Sequence, residues 1–297
     1  MGTITLKYLL GYLILYAAGF MATVYLYRRY KKRRPPLEFE HLRLPGESLS
    51  REIEKQNEKL AYHFILSLVF PASLFLIFYI IYLYTRNVIP SAVSLSILAA
   101  VSIAGVGLSY KHLYKSFRKV ANMELGMWGE RTVADMLKPL EHKGWRIFHD
   151  VPASKNGRTF NLDHVAVGPG GIAVVETKTR RKGKCLPGRE DHEVHYDGKK
   201  LEWPWGSSTS EIQQTLNNCK WIKEFLLERL GTNDLPVRGF LAIPGWKVRE
   251  TMANAPIRAI IHHNVPAAIE GRGSLPLDVE NIYLISRQLE SICRIKQ

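Results

Sequence analysis

The stretch Asn161-Leu162-Asp163-His164-Val165-Ala166-Val167-Gly168-Pro169-Gly170-Gly171-Ile172-Ala173-Val174-Val175-Glu176-Thr177-Lys178 decides the fold. Two apolar, β-branched runs flank Pro-Gly-Gly, which is a hairpin signature. Side chains alternate along a strand, so Glu176 and Lys178 share one face. Asp163 stands six residues before Pro169 and Glu176 five after Gly171, so a tight hairpin brings the two carboxylates together. Carboxylates at such a distance repel unless a cation neutralises them. A hard divalent ion does so with oxygen ligands, and magnesium keeps several waters as well. A water polarised by the ion and positioned by Lys178 can attack a phosphodiester. The lysine can also offset the charge that gathers on the phosphorus oxygens.

The neighbouring segments build a sheet around this hairpin. Upstream, Leu125, Trp128, Val133, Met136, Leu137 and Leu140 recur at helical spacing, so residues 120–140 are expected to be a helix, stopped by Gly144. A strand over 145–151 turns at Asn156-Gly157 into the strand at 161–168. Downstream, residues 192–203 predict a hairpin turning at Asp197-Gly198. Residues 210–230 predict a helix with Ile212, Leu216, Cys219, Ile222, Leu226 and Leu230 on one face. Strands are expected at 237–243, 257–262 and 281–285, the last leading into a short terminal helix. The order is that of a mixed α/β sheet.

Gly126-x-x-Gly129-Glu130, Asn161-Leu162-Asp163-His164 and Val174-Val175-Glu176-Thr177-Lys178 together resemble the nuclease-related domain (NERD) family, within the PD-(D/E)xK nuclease-like superfamily. The resemblance is good over about 124–226 and does not reach the N-terminal part. It implies an α/β fold of the restriction-endonuclease type: a mixed sheet with flanking helices. It implies catalytic roles for Asp163, Glu176 and Lys178, and a further metal or water contact from Glu130. It also implies a glutamine opening the helix after the catalytic strands. Gln213 and Gln214 both stand there. Gln214 is preferred, because the family's later apolar positions then fall on Ile222 and Phe225. The family's usual Asn-Pro before this glutamine is replaced by Ser-Thr-Ser-Glu-Ile. The implied cofactor is Mg2+ or Mn2+, held by Asp163, Glu176 and Glu130, and the implied partner is nucleic acid, DNA above all.

Arg180, Arg181, Lys182 and Lys184 follow the catalytic strand and are candidates to hold a nucleic-acid backbone beside the metal. Arg158 is a weaker candidate of the same kind. The string Asp191-His192-Glu193-Val194-His195 is better read as a surface hairpin than as a zinc site, since His192 and His195 point to opposite faces of a strand. Three cysteines without a CxxC pair argue against a disulfide framework and fit a reducing compartment.

The formal net charge is +14, and residues 1–110 hold 12 Lys+Arg against 6 Asp+Glu. That part alternates long apolar runs with basic ones. Runs at 3–27, 62–84 and 88–110 each approach the roughly 20 residues that cross a hydrocarbon core. Basic residues follow the first run (Arg28 to Arg34) and the third (Lys111, Lys115, Arg118, Lys119), while Arg86 stands alone between the second and third. By the positive-inside rule the basic segments are cytoplasmic. Two spans, with 3–27 lying at the interface, put the C-terminal domain on the same side. The division expected is a membrane region over 1–110 and a nuclease-like domain over 111–297. The chain therefore reads as a multi-pass protein of a bacterial-type inner membrane, whose cytoplasmic domain is a magnesium-dependent nuclease acting on DNA. The rival reading is a catalytically lapsed domain that binds nucleic acid or a protein partner at the bilayer.

Overall fold

The computed structural model describes residues 40–85, 91–232, 235–252, 254–271 and 276–296, with single positions and short pieces between 11 and 29. Two compact units separate: residues 1–41 with 296–297, and residues 42–295. The described residues of the first unit before Glu40 are helical. The expected span at 3–27 and most of the basic cluster at 28–34 lie outside the described residues. All that follows concerns the second unit.

Helix α1 (Glu47–Thr85) carries Pro71 inside it. The charged residues 47–59 form its first turns and run on into the apolar stretch. No glycine or proline interrupts residues 47–70, so nothing stops the helix there. Helix α2 (Ser91–Leu137) is continuous as well. The expected helix at 120–140 is its final third, joined without a break to the apolar run at 91–110. Lys111 to Glu124 contain no breaker, and helix propagation costs little once begun. Within α2, Val133 and Leu137 are fully buried and Trp128 is exposed. Gly105 on α2 leaves room for Leu74 of α1, a Cβ there meeting Leu74 Cδ1 at 3.4 Å. The rings of His63 and His112 meet edge-on across the pair, 4.4 Å apart.

α1 is long and apolar enough to cross a membrane: an 18-residue window has a mean hydropathy of 2.5 and is not buried. Phe64, Phe70, Phe75, Ile77 and Ile81 stand exposed on it. Among the described residues this is one such helix, where the sequence predicts three spans.

After a 3-10 turn ended by Gly144, the central sheet begins. It comprises β1 (Arg146–Lys155), β2 (Arg158–Gly168), β3 (Gly171–Thr177), β7 (Val237–Ala242) and β9 (Arg258–Ile260) in the order β9-β7-β3-β2-β1. β1, β2 and β3 form the expected antiparallel meander, and β7 and β9 join it in parallel. One face packs on α3 (Ser210–Leu230) and α5 (Val279–Cys293) through Val165, Ile172, Val174, Ile222, Leu226, Ile285 and Leu289. The other face packs on α2 and the short α4 (Val265–Glu270) through Val133, Leu137, Ala173, Val175, Val265 and Ile269. β3 is buried along its whole length, as the central strand of a sheet covered on both faces must be.

A second sheet stacks beside the first. It holds β4 (Glu193–Tyr196), β5 (Leu201–Trp203), β6 (Gly206–Ser208) and β8 (Lys247–Glu250) in the order β6-β5-β4-β8. The expected hairpin at 192–203 is β4 with β5.

Residues 281–285 are not a strand but the first turns of α5. Asp278 caps that helix by accepting the Asn281 N–H at 2.7 Å. Ile282, Ile285, Leu289 and Cys293 then repeat at helical spacing onto the core. The short run Asn281–Ile285 carries both periodicities, and the cap decides between them.

Candidate active site

The hairpin register places the acids. Val167 pairs with Ile172 and His164 with Val175, so the next position sets Asp163 opposite Glu176. On the other side His149 pairs with His164 and Val151 with Leu162, so Asp150 stands opposite Asp163. Three carboxylates therefore lie in one row across β1, β2 and β3. Asp150 adopts a φ of 48°, in the left-handed region, and its own rung of the ladder is missing. Asp163 replaces another rung: its Oδ2 accepts the backbone N–H of Thr177 at 2.6 Å.

Glu176 is buried, and both its oxygens are engaged from α3. Gln214 Nε2 donates to Oε1 at 2.6 Å and Asn218 Nδ2 to Oε2 at 2.9 Å. Gln213 instead faces along the helix to Asn217. Lys178 is half-buried just past the end of β3, and its backbone N–H still pairs with Ala242 of β7 at 2.8 Å. Its charge acts on both Asp163 and Glu176.

Glu130 reaches the row from α2, and the glycines before it make that approach possible. A Cβ on Gly129 would lie 2.1 Å from Thr179 Cγ2, and one on Gly126 3.3 Å from Leu49 Cδ1. Gly129 thus lets α2 lie against the end of β3, and Gly126 admits α1. The motif Gly126-x-x-Gly129-Glu130 is a packing motif that delivers a carboxylate.

The segment before α1 closes the far side. Gly46, at a φ of 69°, donates its N–H to the Glu130 carboxylate. Ser48 donates both its N–H, at 3.2 Å, and its hydroxyl, at 2.5 Å, to Asp150. Arg43 Nη1 donates to the same carboxylate at 2.9 Å. Asp150 therefore caps the first turn of α1 from another strand.

Burial first, and then the neighbouring Asp163 and Asp150, push the Glu130 carboxyl up to about 9 against the Gly46 bond. Asp163 rises to about 7, chiefly through burial, with the Thr177 N–H pulling the other way. Burial and then Asp163 raise Glu176 well above the carboxylate range. Near neutral pH such a cluster holds either protons or a cation.

The donor set is all hard oxygen, which suits a magnesium-like ion. Among the described residues no three His, Cys, Asp or Glu side chains stand close enough to close a metal cage. A hydrated magnesium does not need one, since one or two carboxylates and several waters suffice. The residues fit such an ion.

The basic residues after β3 divide. Arg180 bonds to the buried Glu211 and stacks over Trp203, 5.0 Å from the ring centroid. Burial pushes Glu211 up, but the Arg180 bond, with backbone and serine donors, outweighs it and holds that carboxyl down to about 2. Arg181 donates to the carbonyl of Ala121 on α2 at 2.9 Å. Lys182 and Lys184 are exposed. Arg180 is thus turned into the fold, while Arg181 stays exposed with one guanidinium nitrogen on α2.

Asp150, Asn218 and the segment Arg43 to Ser48 are absent from the sequence reading. Asn218 had a signal, since it stands four residues after Gln214 on one helical face. Asp150 had one as well, since counting outward from the Asn156-Gly157 turn sets position 150 opposite 163.

Residues 125–244 match the family model described as the nuclease-related domain, NERD. No curated protein and no solved structure matches the chain. The matched stretch runs from just before Gly126 to the end of β7 and contains Glu130, Asp163, Glu176, Lys178 and Gln214.

Two outcomes test this geometry. Gly129→Ala should destabilise the protein by about 1–3 kcal/mol through overpacking against Thr179. Thr179→Ser, which removes the clashing methyl and keeps the hydroxyl, should restore most of that in the double variant, read by thermal unfolding. A fragment beginning at residue 111 loses the donors from Arg43, Gly46 and Ser48. It should melt well below one beginning at residue 42; equal midpoints would show that the segment before α1 does not support the row of acids.

Proposed function

We propose that the nuclease-related domain carried at residues 125–244 is the core of a divalent-metal-dependent nuclease over residues 111–297, tethered to a membrane and cutting DNA. The observation that carries this reading is the opposition of Asp163 and Glu176 in one register, with Lys178 two residues further on and Glu130 beside them. Domains of this nuclease type generally use divalent metals, and Mg2+ or Mn2+ fits the oxygen donors.

Asp163 and Glu176 would hold the ion, with Glu130 as a further metal or water contact. When bound there, it supplies charge neutralisation and a water acidified enough to attack phosphorus. The chain's own groups do the rest. The Thr177 N–H fixes the Asp163 carboxylate through Oδ2, which would leave Oδ1 for an ion. Gln214 and Asn218 hold Glu176 in one rotamer, which lowers the cost of organising the site on each turnover. Lys178 orients the attacking water and offsets the negative charge that grows on the phosphate oxygens as the P–O ester bond breaks. The attacking water gives up one proton to solvent as its oxygen bonds to phosphorus, and the departing oxygen takes one from solvent.

Membrane attachment is supported by the apolar surface of α1. Both basic feet of the helix pair fall at the domain end: Arg51, Lys55 and Lys59 on α1, and Lys111, Lys115, Arg118 and Lys119 on α2. This charge bias favours the cytoplasmic face of a cell membrane for the nuclease site.

A second reading is favoured by the two amide donors on Glu176, which occupy both of its oxygens without any metal. A domain so arranged can bind nucleic acid and leave it uncut. The full chain in detergent or nanodiscs separates the two. The nuclease reading expects DNA cleavage with magnesium and none with EDTA. Asp163→Asn and Lys178→Ala should each lower the rate at least a hundredfold while the unfolding midpoint changes little. Cleavage that survives both substitutions would overturn the assignment, and salt-sensitive binding without cleavage under magnesium or manganese would favour the second reading.

A further inference from the structure

A groove of about 700 Å3 leaves the acid row between the β1–β2 hairpin and α3. Its inner end is Gln214 and Asn218, the two residues that hold Glu176. Its outer wall carries Lys155, Arg158 and Lys220, and no carboxylate lines it. Arg158 is exposed beside the Asn156-Gly157 turn and makes no hydrogen bond or ion pair among the described residues. Lys155 and Lys220 both share Glu224, which lies outside the groove. Such exposed pairs are worth little and exchange readily for a phosphate. Asn161, Gln213 and Asn217 add exposed or half-buried amides between the cations and the acids.

A second hollow, of about 600 Å3, lies on the other side of Trp221 and supplies a contrast. It is lined by Glu224 and Glu228 as well as Arg229 and Lys155, whose side chain borders both hollows, so its charges balance, and it does not reach Gln214 or Asn218. Of these two, the first groove combines unbalanced positive charge with continuity to the acid row.

We propose that this groove seats the nucleic-acid strand that leads into the site, with its phosphates on Arg158, Lys155 and Lys220 and its bases along the amides of α3. The proposal rests on the reading of the acid row as a site for phosphodiesters. It moves the principal backbone contacts away from the residues that follow β3, where Arg180 already serves the fold. Cations on a backbone supply affinity that depends on salt, while Asn and Gln side chains can hydrogen-bond base edges.

The test uses the full chain in nanodiscs carrying Asp163→Asn, so that bound strand stays intact. Binding of a fluorescently labelled single-stranded oligonucleotide, and of a duplex, is read by anisotropy across a salt series. Arg158→Glu with Lys220→Glu should weaken binding tenfold or more. The slope of log affinity against log salt should flatten by roughly one to two. Arg229→Glu, the same kind of charge reversal in the second hollow, should leave both unchanged. Equal losses from Arg229→Glu, or no loss from the groove pair, overturn the groove. Cleavage by the chain without Asp163→Asn separates the two readings. If that protein never cuts but the groove pair loses binding, the nuclease reading fails and the groove stands. If it cuts and the groove pair on that background cuts and binds equally well, the groove fails and the nuclease reading stands.

Discussion

Four carboxylates packed into one corner of a sheet repel each other, and the surrounding structure answers that repulsion. Asp150, Asp163 and Glu176 occupy one row across three strands, and Glu130 leans in from α2. Each is given its own donors: Arg43 and Ser48 for Asp150, the Thr177 N–H for Asp163, Gln214 and Asn218 for Glu176, Gly46 for Glu130. These donors come from the segment before α1, the end of β3 and the face of α3. Removing any one element leaves a buried acid without a partner, which costs more than the bond itself contributed. The same balance explains why the cluster remains short of full neutralisation. Arg43 and Lys178 are two cations among four acids, and the residual imbalance is what a divalent ion would satisfy.

The central hairpin was legible because two signals agreed. Pro169-Gly170-Gly171 fixed the turn, and the apolar runs on either side fixed the strands, so the proximity of Asp163 and Glu176 followed from counting. Glu130 came only from the resemblance, and the reason for its glycines became visible once Thr179 was seen against Gly129. Gln213 and Gln214 stayed open in the sequence, since a helix shows two adjacent residues to different sides and the sheet's position decides which one matters. Asp150 could have been counted opposite Asp163 from the Asn156-Gly157 turn, but its donors Arg43 and Ser48 stand 107 and 102 residues away in sequence and were not legible. Residues 281–285 were misjudged because five apolar-rich residues satisfy either period, and the Asp278 cap outside that window settles it. The basic run after β3 looked like a phosphate clamp by position alone. The buried Glu211 that claims Arg180 was not predictable from a linear reading.

The boundary that the sequence suggests between an apolar N-terminal part and the nuclease-like part also reads differently in three dimensions. Composition changes near residue 110, but the backbone does not: α2 runs through that point without a cap, glycine or proline. The N-terminal turns of α1 are likewise part of the site's wall through Ser48 and Gly46. The nuclease-related domain is therefore held at two places by helices that also form the apolar pair. Such a junction is stiff compared with a Gly- or Pro-rich linker.

That stiffness has a rotational consequence. Along an unbroken helix each residue turns the chain by about 100° and advances it by about 1.5 Å. The azimuth of Glu130 is therefore phased to that of Gly105, which seats Leu74 twenty-five positions earlier on the same helix. A single residue inserted between them would swing one of these contacts out of alignment with the other. Seven residues would bring the phase back to within about 20° while lengthening the rod by roughly 10 Å. The spacing between the apolar pair and the acid row is thus a matter of angular register, and the helix behaves as a keyed shaft between them.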